Sequence, residues 1–156
     1  MRIALYKGTS FVSRAIRLIT RSPYSHAAFL LDDDSVIEAW EGGVKYSPSI
    51  STLHKDRTQV DVFGFYPPLS PEENRALHLA AISYVGRPYD YKSVLRFVTK
   101  IRGKTDKRVF CSEMLCECCE LIQRPLFLRT PAWKIPPDWL QMTLGLRFEK
   151  SVHTTQ

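Results

Sequence analysis

Residues 25–40 read SHAAFLLDDDSVIEAW, and this stretch decides the fold class. Two apolar runs stand on either side of the turn-like DDDS of residues 32–35. Short apolar runs that flank a polar turn are typical of an antiparallel β-hairpin. The stretch therefore predicts two neighbouring strands, which Gly42-Gly43 and residues 44–46 extend into an antiparallel meander.

Further strands flank the meander, and helices occupy separate segments. Residues 2–6 predict a strand before it, residues 60–66 predict one after it, and residues 146–149 predict a last strand. The segments that predict helices lie at about 10–21, 70–86, 112–122 and 139–144. Strands followed by separate helices indicate an α+β domain rather than a parallel α/β sheet. We therefore expect one domain over residues 1–156, with an antiparallel sheet packed against helices.

The clearest helix signal in the chain begins at Ser70. Ser70 suits the N-cap, Pro71 suits the first turn, and Glu73 completes a capping box. Gly86 lies just beyond the last predicted turn, where a glycine commonly ends a helix.

The composition is that of an ordinary globular domain. The chain has 156 residues, 44% hydrophobic and 24% charged, and no apolar run approaches the roughly 20 residues of a membrane span. Its first residues lack the features of a signal peptide, so we expect a cytoplasmic protein. The formal charge of +6 favours an anionic ligand or membrane surface, with residues 92–108 as the basic contact. Motifs for nucleic-acid recognition are missing, so no nucleic acid is expected.

All four cysteines lie within nine residues, at 111, 116, 118 and 119. This spacing matches neither a zinc ribbon nor a dispersed disulfide framework, so we expect free thiols in a reducing compartment. Cys111 stands at the predicted first turn of a helix, where N–H groups and the helix dipole lower a thiol pKa. The position also suits a core residue, so a nucleophile here needs a base nearby. Cys116 lies among glutamates and is expected to be exposed.

His26 is the histidine that falls on a predicted strand, whereas His54 lies in a polar loop, His78 on a helix with solvent access and His153 in the tail. Glu38 lies on the next strand among apolar residues, where a carboxylate is costly unless it is paired. Because 26 and 38 differ by an even number, a loop of odd effective length or a bulge would place both side chains on one face. The carboxylate would then fix the imidazole tautomer, as the third member of a catalytic triad does.

The order of these residues resembles a known family. The motifs Tyr24-Ser25-His26, Val36-Ile37-Glu38-Ala39 and Phe110-Cys111-Ser112-Glu113 are similar to those of circularly permuted papain-like enzymes of the NlpC superfamily, above all the YiiX/YebB-like amidases. In ordinary papain-like chains the cysteine helix precedes the histidine strand, and here the order is reversed. The resemblance runs from about Leu5 to Trp139 and implies a permuted papain-like fold.

The resemblance implies roles for individual residues. It implies Cys111 as the nucleophile, His26 as its base and Glu38 as the residue that orients the base. It also implies a cysteine peptidase or amidase that forms an acyl-enzyme on an amide bond, such as that of a cell-wall-type peptide. These three side chains suffice for acyl transfer, so no metal or cofactor is expected.

Three further residues are candidates for contacts with the substrate or the oxyanion. Gly86-Arg87-Pro88-Tyr89 is similar to the Gly-x-Pro-Tyr stretch before the catalytic cysteine of NlpC-type enzymes, which implies that the Tyr89 hydroxyl lies near the oxyanion. Tyr24 is the rival hydroxyl, and Ser112 follows the nucleophile directly.

Two other functions are consistent with the sequence. The twelve-residue step from His26 to Glu38 is similar to that of lecithin:retinol acyltransferase relatives, which have a second histidine at that place. This similarity allows a lipid acyltransferase or phospholipase with the same Cys–His pair, held at an anionic membrane by the basic segments. A non-catalytic binding module is the third possibility.

Overall fold

The computed structural model of the chain describes residues 1–9, 13–14, 17–18, 21–89 and 109–155. Most of the helix predicted at 10–21 and the whole basic stretch at 92–108 lie outside these residues. Membrane binding through those two segments therefore stays a prediction. Within the described residues, the structure contains no helix of the length and apolar character that a membrane crossing needs.

Six strands of the described residues form one antiparallel sheet in the order β4-β3-β2-β1-β5-β6. Their bounds are β1 Arg2–Lys7, β2 His26–Leu30, β3 Val36–Trp40, β4 Gly43–Ser47, β5 Gln59–Phe65 and β6 Leu146–His153. Each strand predicted from the sequence is present. β6 is longer than predicted because it pairs along the whole of β5, from Phe65 with Leu146 to Gln59 with His153. The predicted α+β class is confirmed.

Within the described residues, two α-helices and two short 3-10 helices follow the first five strands. They are α1 Pro71–Tyr84, α2 Cys111–Leu121 and the 3-10 helices Ala132–Lys134 and Pro137–Met142. The capping box predicted at the start of α1 is confirmed, since Glu73 N–H donates to Ser70 Oγ (3.1 Å) and Ser70 N–H donates to Glu73 Oε2 (2.8 Å). Gly86 follows the end of α1 at φ +88°, a left-handed conformation that favours glycine.

The two faces of the sheet carry different layers. On one, which we call the helical face, Leu5, Ala27 and Phe29 pack in a single core with residues of α1 and α2. On the other, the alternate strand residues form a second apolar cluster. Ile50 and His54 pack there, so the loop of residues 48–58 covers this side, which we call the loop face.

α2 is more deeply buried than its sequence suggested. Cys116 is 2% exposed, so the prediction of an exposed Cys116 is wrong. The reason is that α2 packs against α1, β2, β3 and both 3-10 helices, so its neighbours cover it on several sides. Leu121, at the end of the helix, is exposed instead.

Candidate active site and histidine–glutamate cluster

The hairpin of β2 and β3 brings His26 and Glu38 together. β2 pairs with β3 at Phe29 with Ile37 and at Leu30 with Val36, on either side of a five-residue turn. This odd loop places His26 and Glu38 on the same face of the sheet. His26 Nε2 lies 2.8 Å from Glu38 Oε2, which confirms the predicted pairing of these two side chains.

A second histidine, which the sequence analysis set aside, binds the same carboxylate oxygen. His54 Nε2 also lies 2.8 Å from Glu38 Oε2, and the His54 ring stacks on Tyr6 with 3.9 Å between centroids. The predicted position of His54 in a polar loop is correct, but its exclusion from the candidate site is wrong. The loop folds back over the loop face, which buries His54 to 5% exposure among aromatic rings.

The charges of this cluster follow from its burial. Burial raises the pKa of Glu38, but the hydrogen bonds from His26 and His54 outweigh this effect and bring that pKa to about 2. Burial lowers the pKa of His26, against the raising effect of Glu38. At neutral pH we therefore expect an ionised Glu38 and a neutral His26. Because an ionised carboxylate only accepts, each imidazole carries its proton on Nε2, and Nδ1 of His26 keeps a lone pair.

The cluster is closed by aromatic side chains and leaves one polar atom unmatched. Trp40 meets the rings of His26 and His54 edge-on, with centroids 4.8 and 4.6 Å away. Glu38 Oε1 is buried and has no hydrogen-bond partner in the described part of the chain. One ligand atom from each of His26, Glu38 and His54 lies within 4.8 Å of the others, so these residues could hold a metal ion.

Cys111 occupies the first position of α2, on the helical face of the sheet. Burial raises the pKa of Cys111 to about 11, although the nearby backbone N–H groups of Ala27 and Ser112 favour the thiolate. The predicted lowering of this pKa is therefore wrong, because the thiol is 3% exposed and a thiolate there would lose its hydration. Among the residues described, no hydrogen bond joins Cys111 to His26. The thiol does reach Ala27, which follows His26 in β2.

The three candidates for oxyanion contacts lie in different settings. The Tyr24 hydroxyl donates to Asp61 Oδ2 at 2.6 Å, and Ser112 Oγ donates to the carbonyl oxygen of Ile135 at 2.6 Å, so both hydroxyl protons are already engaged. Tyr89 is half-buried, and its backbone bridges to Val109, two residues before Cys111. The Gly-x-Pro-Tyr segment therefore lies beside the entry to the cysteine helix, although 22 positions separate Tyr89 from Cys111 in the sequence.

Comparisons with known proteins give a relative and a shared fold. The chain is 30% identical over 106 residues to the uncharacterized protein YiiX of Escherichia coli K12, a match that covers 66% of this chain and 48% of that protein. The chain thus matches about half the length of this curated relative. The crystal structure of the metalloprotein YiiX from Escherichia coli O157:H7, DUF1105, superposes with a TM-score of 0.70 at 21% identity over 96% of this chain and 94% of that one. This likeness shows the fold alone. No protein-family model matches the chain.

Proposed function

We propose that this chain is a cysteine hydrolase with a permuted papain-like fold, in which Cys111 attacks an amide carbonyl and His26 acts as the base. The observation that carries the proposal is the buried 2.8 Å bond between His26 Nε2 and Glu38 Oε2. It holds the His26 imidazole on the loop face with Nδ1 available, and the Cys111 thiol reaches the backbone of the next residue, Ala27, from the helical face. The similarity to YiiX supports the resemblance to YiiX/YebB-like proteins.

The proposed mechanism starts from a neutral pair rather than from a thiolate and an imidazolium. Cys111 has a pKa of about 11 and His26 a lowered pKa, so neither side chain is charged at rest. His26 and Cys111 lie on opposite faces of the sheet, so the first residue of β2 has to rearrange to bring the imidazole to the thiol. As the sulfur then forms its bond to the carbonyl carbon, the thiol proton passes to Nδ1 of His26. Glu38 stabilises the imidazolium that forms. His26 then protonates the leaving nitrogen as the C–N bond breaks, and water hydrolyses the thioester.

Backbone N–H groups are the proposed donors to the oxyanion. Cys111 is the first residue of α2, and the N–H groups at the start of a helix have no partners within the helix. Such donors stabilise the negative charge of a tetrahedral intermediate. Tyr89 is the tyrosine that the fold brings toward this end of α2, through its bridge to Val109. The substrate class, an amide of cell-wall-peptide type, follows from the family resemblance.

Acylation of Cys111 by p-nitrophenyl acetate tests the hydrolase proposal. We expect the metal-free protein to gain one acetyl group on Cys111, seen by peptide mass spectrometry, with release of p-nitrophenol. Cys111→Ser should remove both signals, and Cys116→Ser, which changes another buried thiol of the same helix, should keep them. Acetylation and release that persist in Cys111→Ser would refute the proposal.

A metal-binding function is the second candidate, and the buried cluster of His26, Glu38 and His54 favours it. Two imidazoles and one carboxylate form a set of ligands that binds Zn²⁺ or Fe²⁺ in other proteins. The unmatched Glu38 Oε1 fits such a site, because a buried carboxylate oxygen needs a partner. The YiiX crystal structure is that of a metalloprotein, which supports the same idea for this chain. A bound divalent cation would supply the positive charge that balances Glu38.

Zn²⁺ binding to the metal-free protein tests this second candidate. We expect one equivalent to bind in competition with a chromophoric chelator, and His54→Gln to weaken that binding. His78→Gln is the control, since His78 lies on α1, away from the cluster. The assignment would be refuted if both substitutions weakened Zn²⁺ binding equally, or if neither substitution weakened it.

A further inference from the structure

We propose that an apolar patch beyond the end of α2 docks on an anionic membrane surface. The patch, which we call the end patch, is a groove of about 700 Å³ together with the side chains at its rim, and it comprises residues 65–67, 123–130 and 142–145, with Trp139 and Arg147 at its edge. Cys111 begins α2, and the end patch follows the other end of this helix, about 15 Å further along its axis. The inference therefore does not depend on the proposed function.

Large apolar side chains of the end patch are exposed to solvent. Leu128 is 88% exposed, Leu144 is 93% exposed and Met142 is 63% exposed, and all three line the same groove. Exposed apolar residues that are scattered singly are ordinary on a protein surface, whereas several around one groove mark a contact surface. Because these side chains already point away from the core, they can enter an apolar layer without a rearrangement of the fold.

Hydrogen bonds hold the segments of the end patch together. Thr143 Oγ1 donates to the carbonyl oxygen of Leu126 at 2.7 Å, which ties one loop to the other. Tyr66 N–H donates to the carbonyl oxygen of Gly145 at 2.8 Å, which ties the second loop to the end of β5. The apolar tips therefore stand on a fixed base, and little conformational entropy is lost when they bind.

Amphipathic aromatic rings border the apolar tips. Tyr66 is 42% exposed, and the Arg147 guanidinium lies over its ring, 3.2 Å from the centroid. Trp139 is 38% exposed, and its ring contacts that of Phe127, with 6.3 Å between centroids. Tyrosine and tryptophan rings with one apolar and one polar side are typical of the headgroup level of a membrane. This border therefore fits a bilayer surface into which the leucines project.

The charge of the end patch favours an anionic partner. None of the described residues that line the groove is acidic, and two of them are arginines, Arg124 and Arg129. Glu73 forms an ion pair with Arg124 at 3.0 Å, and Glu149, two positions after Arg147, offsets the charge of that residue. Arg129 is exposed and forms no ion pair with another described residue. It is therefore the charge that the patch leaves unbalanced, and it agrees in sign with the formal +6 of the chain.

A lipid surface fits the end patch better than a second copy of the chain does. In a two-fold contact each copy would present the same unbalanced arginine and the same excess of positive charge, so repulsion would oppose the apolar contact. An anionic bilayer instead offers lipid phosphates to Arg129 and an apolar layer to the tips of Leu128 and Leu144. Leu128 and Arg129 are neighbours in the chain, so one loop supplies both contacts.

Sedimentation with lipid vesicles tests the proposal. The vesicles contain phosphatidylcholine with about one quarter phosphatidylglycerol, and pure phosphatidylcholine vesicles and high salt show how much of the binding is electrostatic. The tip variant, Leu128→Ser/Leu144→Ser, removes two exposed side chains of the patch without a change of charge. Leu79→Ser/Ile82→Ser is the matched control, because these apolar side chains are 63% and 45% exposed on α1.

We expect the wild type to bind the anionic vesicles, and the tip variant to bind them at least about tenfold more weakly. The matched control should stay within about twofold of the wild type. Arg129→Gln should weaken binding about fivefold at low salt and less at high salt. Arg57→Gln is its control, because Arg57 is a 91% exposed arginine in the loop of residues 48–58.

Trp139 reports whether the end patch itself enters the lipid. In a Trp40→Phe/Trp133→Phe variant, Trp139 is the one tryptophan left in the chain. Its emission should shift to shorter wavelength when the vesicles bind, and brominated lipid should quench it, because the ring moves from water to the membrane interface.

The outcomes separate the membrane from other partners. Absence of binding to the anionic vesicles overturns the proposal, and so does unchanged emission of Trp139 on binding. Equal binding by the tip variant and the wild type also overturns it, since another surface of the chain would then carry the contact. A wild-type dimer in sedimentation equilibrium that the tip variant dissolves, without vesicle binding, would assign the patch to self-association instead. Circular dichroism of each variant must match the wild type before its binding is compared.

Discussion

Glu38 is the residue on which the site depends. It is fully buried, it is ionised, and one of its oxygens receives the Nε2–H groups of both His26 and His54. A charge at such a depth persists only where hydrogen bonds replace its hydration. Its side chain therefore sets the tautomers of the two imidazoles, and with them the direction in which His26 can take a proton.

The first prediction is that Glu38→Gln weakens both the fold and the reactivity of Cys111. The glutamine amide has the shape of the carboxylate, but its oxygen is a weaker acceptor for the hydrogen bonds from the Nε2–H groups of His26 and His54. We expect a loss of about 2–3 kcal/mol in the free energy of unfolding, measured with urea. Acetylation of Cys111 should fall by at least about tenfold. Glu41→Gln, at an exposed position after β3, is the control, and equal effects of both substitutions would contradict this role of Glu38.

Asp61 is a second buried carboxylate, with a structural role on the helical face. Burial alone would raise its pKa, but hydrogen bonds from Ser151, Tyr24 and Lys7 bring it to about 2. The pKa is therefore lower in the folded than in the unfolded chain. Asp61 therefore stabilises the fold at pH values above its pKa in the unfolded chain, which is about 4. This stabilisation is lost as the pH falls through its pKa in the folded chain.

The second prediction concerns the acid side of the stability profile. Between about pH 4 and pH 2, Asp61 should account for a loss of about 2 kcal/mol in the free energy of unfolding. Asp61→Asn should flatten this part of the profile, as measured by denaturant titrations at several pH values. Asp56→Asn changes a half-exposed carboxylate and serves as the control. The same slope in the wild type and in Asp61→Asn would contradict the assignment.

A site residue could be predicted from the sequence where its polarity differed from that of its neighbours in the chain. Glu38 was identified because a carboxylate stood in an apolar strand twelve residues from His26. His54 was missed because the polar residues around it gave no sign that the loop folds onto Tyr6. The pKa of Cys111 was misjudged because the helix dipole can be read from sequence, whereas burial on several sides depends on tertiary packing.

At the scale of elements, local signals decided most boundaries. The capping box at Ser70 and the five-residue turn between β2 and β3 stand where the sequence predicted them, because short-range hydrogen bonds and turn residues set both. Residues predicted as a helix at 139–144 form instead a 3-10 helix at Pro137–Met142, since prolines at 136 and 137 remove backbone donors. The burial of α2 depends on five neighbouring elements and could not be predicted locally.

The third prediction tests the capping box of α1. Ser70→Ala removes the acceptor of the Glu73 N–H group and should lower the free energy of unfolding by about 1 kcal/mol. Ser83→Ala is the control, because Ser83 is exposed within the same helix and bonds only to the preceding turn. We expect the control to change the stability by less than about 0.5 kcal/mol in urea titrations. A control as destabilised as Ser70→Ala would contradict a specific capping effect.

At the scale of the whole molecule, one sheet separates two layers. The helical face carries Cys111, and the loop face carries the histidine–glutamate cluster, so β2 links the two parts of the proposed site. The α+β class followed from the order of elements in the sequence. The central position of β1, between β2 and β5, could not be predicted, because it depends on the pairing of β1 with β5, whose paired residues lie 52 or more positions apart in the sequence.

The fourth prediction is that both layers unfold together. Trp40 reports on the loop face, whereas Trp133 and Trp139 lie in the 3-10 helices beside α2. In a Trp40→Phe variant and in a Trp133→Phe/Trp139→Phe variant, fluorescence and far-UV circular dichroism should give the same urea midpoint. Coincident midpoints are expected because both layers share one sheet. A loop-face fluorescence midpoint well below that of circular dichroism would show that the cluster opens by itself.

The most direct test of the central claim is the rate at which iodoacetamide alkylates Cys111 at pH 7.5 in the presence of EDTA, followed by peptide mass spectrometry. Cys116, a buried thiol of the same helix whose pKa burial also raises, is the internal reference. If His26 is the base, Cys111 should react at least about tenfold faster than Cys116, and His26→Asn should abolish the difference. Equal labelling of the two cysteines in the wild type, or a Cys111 rate that His26→Asn leaves unchanged, would contradict the account.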